Sequence, residues 1–171
     1  MNADTLRALA KNDIPELSKN LTAADIGFLV QTLNEKDDVL RYNAFLLLQS
    51  YSRLFSSVYG YWDVLEQKLE SDNSYQRSLG VMLLAENVRW DKEGKFGKVI
   101  GKYLGCCSDE KFITARQAIQ GLALVLKATD RFDDEIKNGL SNLNLSKYKE
   151  NQQKLLNKDI SSILKIIISR N

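Results

Sequence analysis

Apolar residues recur along this chain at steps of three and four, separated by short polar stretches, over almost its whole length. On a helix turning about 100° per residue, that spacing gathers them on one face. Thr22-Ala23-Ala24-Asp25 has the form of an acidic capping box, with Ile26, Leu29, Val30 and Leu33 on one face beyond it. A helix is predicted over about 22–34, and another from Asp37 or Asp38, where Leu40, Ala44, Leu47, Leu48, Tyr51 and Leu54 keep the period. The pairing recurs as 62–69 with 73–87, 95–104 with 109–128, and 133–140 with 146–169. Polar joints such as Ser108-Asp109 link the members of each pair. No segment alternates apolar and polar residues between tight turns, and Pro15 is the sole proline, so the fold class is all-α.

The pairs also repeat in detail. Residues 34–44 laid over 70–80 bring Arg41 onto Arg77 and Ala44 onto Gly80 at an offset of 36. Residues 108–118 repeat the acidic turn, the arginine (Arg116) and the small residue (Ala118) after a slip in register, and the fourth pair is degenerate. A period in the high thirties built from two helices is the signature of an α-solenoid. Small residues Ala44, Gly80 and Ala118 let a neighbouring helix approach, and Leu48, Leu84 and Leu122 sit one turn further on the same face. Arg41 and Arg77 are expected to hold the acidic turn of their own or an adjacent repeat; Arg116, out of register, is better placed to face a partner.

The acidic turn followed by a hydrophobic position, an arginine and a small residue resembles the opening of the second helix in HEAT repeats, over roughly residues 22–169. The resemblance implies a HEAT-like superhelix of about four antiparallel helix pairs. Its approximate repeats are 22–58, 59–93, 94–130 and 131–171, after a helical N-terminal cap at 1–21. The proline often found in the first HEAT helix is missing, and Thr114 and Ala115 stand where an arginine is expected. HEAT-like iron hydroxylases use His-Glu ligand pairs; this chain has no histidine, so that activity is not carried over.

The missing histidine also excludes Ser-His-Asp and Cys-His catalysis and His-ligated metals. Cys106 and Cys107 are adjacent, too close in sequence for an unstrained disulfide and too few for a zinc site, so free thiols and no cofactor are expected. Asp37-Asp38, Asp109-Glu110 and Asp133-Asp134-Glu135 pair carboxylates, but each sits where a turn meets a helix start, as capping requires. No apolar run approaches the ~18 residues of a membrane span, and the start lacks a secretory pattern, which predicts a cytoplasmic protein without a membrane partner.

Charge is uneven: residues 1–90 carry nine Lys or Arg against twelve Asp or Glu, and residues 91–171 carry fifteen against ten. Lys95, Lys98 and Lys102, bordered by Lys92, form one basic patch, and Lys147, Lys154, Lys158 and Lys165 line up if the last helix is unbroken. Gly94, Gly97, Gly101 and Gly105 recur at helical steps; they are expected to cap the helix at its ends and permit close packing between. The expected function is a non-catalytic protein-binding or scaffold module. Its curved inner face of second helices would present Gln49, Arg53, Gln76, Arg116, Gln120 and Gln153 to another protein. The alternative is a nucleic-acid-binding protein, or an enzyme resembling the alkylpurine DNA glycosylases built from HEAT-like repeats, with Trp62 or Trp90 in a positive cleft.

Overall fold

Several of the helices open where a side chain or a special backbone angle closes the first turn. The computed structural model describes residues 1–170. It contains α1 (Ala3–Arg7), α2 (Ile14–Lys19), α3 (Ala23–Thr32), α4 (Asp38–Ser52), α5 (Trp62–Gln67), α6 (Ser74–Asn87), α7 (Lys95–Cys106), α8 (Phe112–Ala128), α9 (Asp133–Ser141) and α10 (Glu150–Ile168). No strand occurs among the described residues. Thr22 and Asp25 form the reciprocal capping box of α3, and Asp37 accepts from the N–H groups of Val39 and Leu40 to start α4. Asn73 accepts from Tyr75 N–H at α6, and Asp91 takes the N–H groups of Lys95 and Phe96 at α7. Gly94, at φ +69°, supplies the left-handed residue just before α7, a conformation that glycine adopts without a Cβ clash.

Several boundaries differ from the sequence expectation, each for a local reason. The helix predicted from Asp109 begins at Phe112, because the Asp109 carboxylate accepts from Lys111 N–H and from Arg77. The helix predicted from Ser146 begins at Glu150; Tyr148 is buried ahead of it, its hydroxyl donating to the Asp109 carbonyl. Lys147 therefore leaves the stripe of Lys154, Lys158 and Lys165. Leu54 falls beyond α4 and is exposed. Gly105 lies inside α7 and is not its cap. A Cβ at Gly101 or Gly105 would meet nothing, and only Gly97 comes within contact distance of a ring, that of Phe132 at 3.4 Å, so close packing along the glycine row does not occur.

The helices α4, α6, α8 and α10 pack on one another in succession. Against them lie α3 on α4, α5 on α6, α7 on α8 and α9 on α10, while α1 and α2 cover α4. Leu48, Leu84 and Leu122 are fully buried, as are Ala44 and Ala118. Gly80 is needed for its size: a Cβ there would meet Lys68 Cβ at 3.0 Å and the Leu65 carbonyl at 3.1 Å.

Side chains link equivalent points of successive helices. Ser78 and Thr114 share a buried hydroxyl pair at 2.9 Å, and Asn87 donates to Ser52 at 3.1 Å. Arg77 spans the α6–α8 joint: it donates to both Asp109 oxygens (2.5 and 2.9 Å) and to the carbonyls of Ser71 and Asp72. The Arg77 bonds and the Lys111 N–H outweigh the burial that would raise the Asp109 carboxyl, and hold it below the usual carboxylate range. Arg41 meets the Glu35 carbonyl and Asp38 at the start of its own helix, then lays its guanidinium 4.1 Å over the Tyr75 ring. The expected anchoring role of both arginines is seen in these contacts.

Candidate binding face

Helices α4, α6 and α8 run side by side in the same direction. The N-terminal ends of α6 and α8 meet at Arg77–Asp109 and Ser78–Thr114 and those of α4 and α6 at Arg41–Tyr75, while the C-terminal ends of α4 and α6 meet at Ser52–Asn87 and at Arg89, which donates to the Arg53 carbonyl. Helical spacing then lines Tyr42, Leu46, Gln49 and Arg53 along α4, Tyr75, Ser78 and Met82 along α6, and Ile113, Gln117, Gln120 and Leu124 along α8.

Between these rows lie two adjoining hollows of about 360 and 190 Å³, which share Gln49, Met82 and Gln117 as a common border. The first is lined mainly by apolar and aromatic groups, among them Phe45, Tyr75 and Leu79. Tyr42 and Ile113, at its rim, remain 40% and 59% exposed. The Oε1 of Gln117 is shielded from solvent yet has no hydrogen-bond partner among the described residues. A larger hollow of about 730 Å³ lies where α8 and α10 end and α9 begins. Its walls mix Lys127, Arg131 and Lys137 with Asp130 and Asp134, and Arg170 is bound to Asp133 at 2.8 Å, so no single charge dominates it.

The sequence-predicted contact residues divide. Gln49 lines the groove, and Arg53 stands at its end, 3.7 Å from the buried Glu86. Gln120 borders the smaller hollow but donates to Asp159 at 3.0 Å, and Arg116 donates to the same carboxylate at 2.8 Å. Gln76 is bonded to the Leu33 carbonyl and to Lys68, away from the groove, and Gln153 donates to the Tyr148 carbonyl. Sequence reasoning passed over Tyr42, Met82, Ile113 and Gln117. The available signal was an apolar residue on the polar side of its helix, as at Tyr42 and Ile113.

Two of the four lysines of the basic patch are answered by acids. Lys102 is held by Glu70 at 2.9 Å and Glu66 at 3.5 Å, and the Glu70 bond raises its pKa. Lys95 lies 3.7 Å from both Asp63 and Glu93 and 5.4 Å over the Tyr59 ring. Lys92 and Lys98 are exposed. Trp62 is fully buried, and Trp90 donates its indole N–H to the Ser52 carbonyl at 2.7 Å.

Three other features bear on chemistry. Burial pushes the Cys106 thiol up to about 11 and the Cys107 thiol further, so both remain protonated and poorly nucleophilic at neutral pH. Lys68 is buried without a carboxylate, its ammonium donating to Asn34 at 2.7 Å and Gln76 at 2.5 Å; burial and the charge of Arg41 push it down to about 8. Of the paired carboxylates, Asp37 caps α4, Asp109 binds Arg77 and accepts from Lys111 N–H in the turn before α8, and Asp133 binds Arg170. Comparison with protein-family models, curated proteins and solved structures returns no match.

Proposed function

We propose that this chain is a short HEAT-like α-solenoid that binds a segment of another protein along its row of second helices and carries out no chemistry of its own. The solenoid reading is supported by the succession α4, α6, α8, α10 and by side-chain links such as Ser78–Thr114 that recur near one repeat length. The binding role is carried by one observation: an apolar groove between α4, α6 and α8 whose rim leaves Tyr42 and Ile113 in solvent. Apolar grooves with a few placed polar groups are what protein segments occupy. No helix is long and apolar enough to cross a membrane among the described residues. A cytosolic setting agrees with two free, buried thiols.

Nucleic acid is the weaker reading, because Lys95 and Lys102 already face Asp63, Glu66 and Glu70, and the buried Trp62 offers no face to a base. The deciding experiment places a photo-crosslinking residue at Gln49, Ile113 or Lys98 in cells that express the protein. Protein adducts at Gln49 and Ile113 but not at Lys98 are expected. Adducts concentrated at Lys98 and removed by nuclease would overturn the assignment.

A further inference from the structure

The rows that line the groove continue past it at both ends. At one end, one helical step beyond Gln49, Met82 and Leu124, stand Arg53, Glu86 with Arg89, and Lys127. Glu86 is buried and bonded to Arg89 at 2.9 Å, and Lys127 shares the wall of the neighbouring hollow with Asp130, so the three cations still outnumber the acids beside them. At the other end stand Asp38, at the start of α4, and Asp72 and Glu110, in the turns before α6 and α8, with Arg41 on Asp38 and Lys111 4.0 Å from Glu110. The groove therefore has an apolar floor, an amide waist at Gln49 and Gln117, and one positive end.

Resting on the binding-face assignment above, the geometry points to one occupant: an amphipathic α-helix of a partner protein, running antiparallel to α4, α6 and α8, with acidic residues in its first turn over Arg53, Arg89 and Lys127. The walls of the groove are helices whose backbone groups are already bonded internally. An extended segment would leave its own N–H and C=O groups unpaired over the apolar floor, whereas a helix satisfies them itself. From Tyr42 to Arg53 the row covers roughly 16 Å at ~1.5 Å per residue, the length of about three helical turns. Hollows of about 360 and 190 Å³ hold anchoring side chains, not a whole helix, so the ligand rides above and inserts apolar residues at three- and four-residue steps. Antiparallel packing sets the positive N-terminus of the ligand beside three negative C-termini, and acidic residues are favoured in the first turn of any helix.

The test is a helix-biased display library of peptides about 14 residues long, roughly four turns, panned on the intact protein. Enriched peptides are expected to carry acids in the first turn and apolar residues at helical steps. Ile113→Asp, at an exposed site, and Met82→Glu should weaken an enriched peptide at least about tenfold with an unchanged far-ultraviolet spectrum. Arg53→Glu and Lys127→Glu should each weaken it about three- to tenfold and erase the preference for an acidic first turn, while Lys98→Glu changes nothing. Enrichment of proline-rich or basic peptides, acids gathered in the last turn, or no enrichment above the Ile113→Asp protein would overturn the proposal. Crosslinks at Gln49 and Ile113 combined with such a result would leave the binding face standing and refute only its helical occupant.

Discussion

Two neighbouring joints of the molecule use the same arginine differently. At the α6–α8 joint, Arg77 reaches Asp109 with two hydrogen bonds, and both side chains are nearly buried, at 13% and 5% exposure. At the α4–α6 joint the equivalent arginine, Arg41, finds Asn73 at the position matching Asp109. It turns to Asp38 on its own helix and to the face of Tyr75, and its Nε is buried without a hydrogen-bond partner among the described residues. The buried Lys68 adds a second cation to that joint, held only by neutral amide oxygens. One joint is charge-matched across the helices, and the other carries two cations with no acid bonded across from them among the described residues. An amide in place of a carboxylate at this point thus accompanies an arginine that serves mainly its own helix, where the carboxylate accompanies one that ties two helices together.

The largest expected effect is at the matched joint. Arg77→Ala should lower stability by about 3 kcal/mol, because it leaves the Asp109 charge buried and uncompensated. Chemical denaturation measures this, and a loss below about 1 kcal/mol would show that the pair is dispensable. The pH dependence has a definite sign. Asp109 has a folded pKa below its unfolded value, so its contribution is present above about pH 4 and fades as pH falls through the depressed value. The gap between wild type and Arg77→Ala should therefore close in acid.

Arg41→Ala should cost about 1 kcal/mol, chiefly the stacking on Tyr75 and the bond to an exposed Asp38. A cost equal to that of Arg77→Ala would erase the contrast between the joints. Lys68 supplies a different signature. Its pKa of about 8 lies below the ordinary lysine value of 10.5, so its unfavourable contribution is complete below pH 8 and is relieved as pH rises toward 10.5. Relative to Lys68→Met, the wild type should gain stability over that range, and a pH-independent difference would refute the assignment. The smallest change is a gain: Asn73→Asp restores the missing carboxylate near Arg41 and should stabilise by about 0.5 kcal/mol. A loss of stability would mean that Arg41 cannot leave Tyr75.

Helix positions are legible in the sequence because apolar period and capping chemistry are local properties: Thr22 with Asp25, Asp37 and Asn73 mark their helix starts without reference to anything distant. Small residues at Ala44, Gly80 and Ala118 likewise announce close packing. The start of α8 is not legible, since Asp109 is drawn into a bond with Arg77, 32 residues away. The binding face is legible in part. Gln49 and Arg53 follow from their place on a second helix, but Arg116 and Gln120 turn toward Asp159, a partner that only the packing of α10 supplies. Likewise, the charge of Lys95 and Lys102 is visible in sequence, whereas the acids of and just after α5 that answer it are set by tertiary neighbours.

The side-chain links between helices also bear on how the chain reaches this state. Among the described residues, the widest separation in any hydrogen bond between side chain and chain is 44 residues, from Arg170 to the Leu126 carbonyl. Loop-closure entropy grows only with the logarithm of loop length, so each helix added to the stack closes a loop of similar cost. Nothing near the N-terminus has to wait for a hydrogen-bond partner from the far end. Folding is therefore expected to begin at any adjacent pair and spread outward, with the low contact order of fast-folding helical proteins.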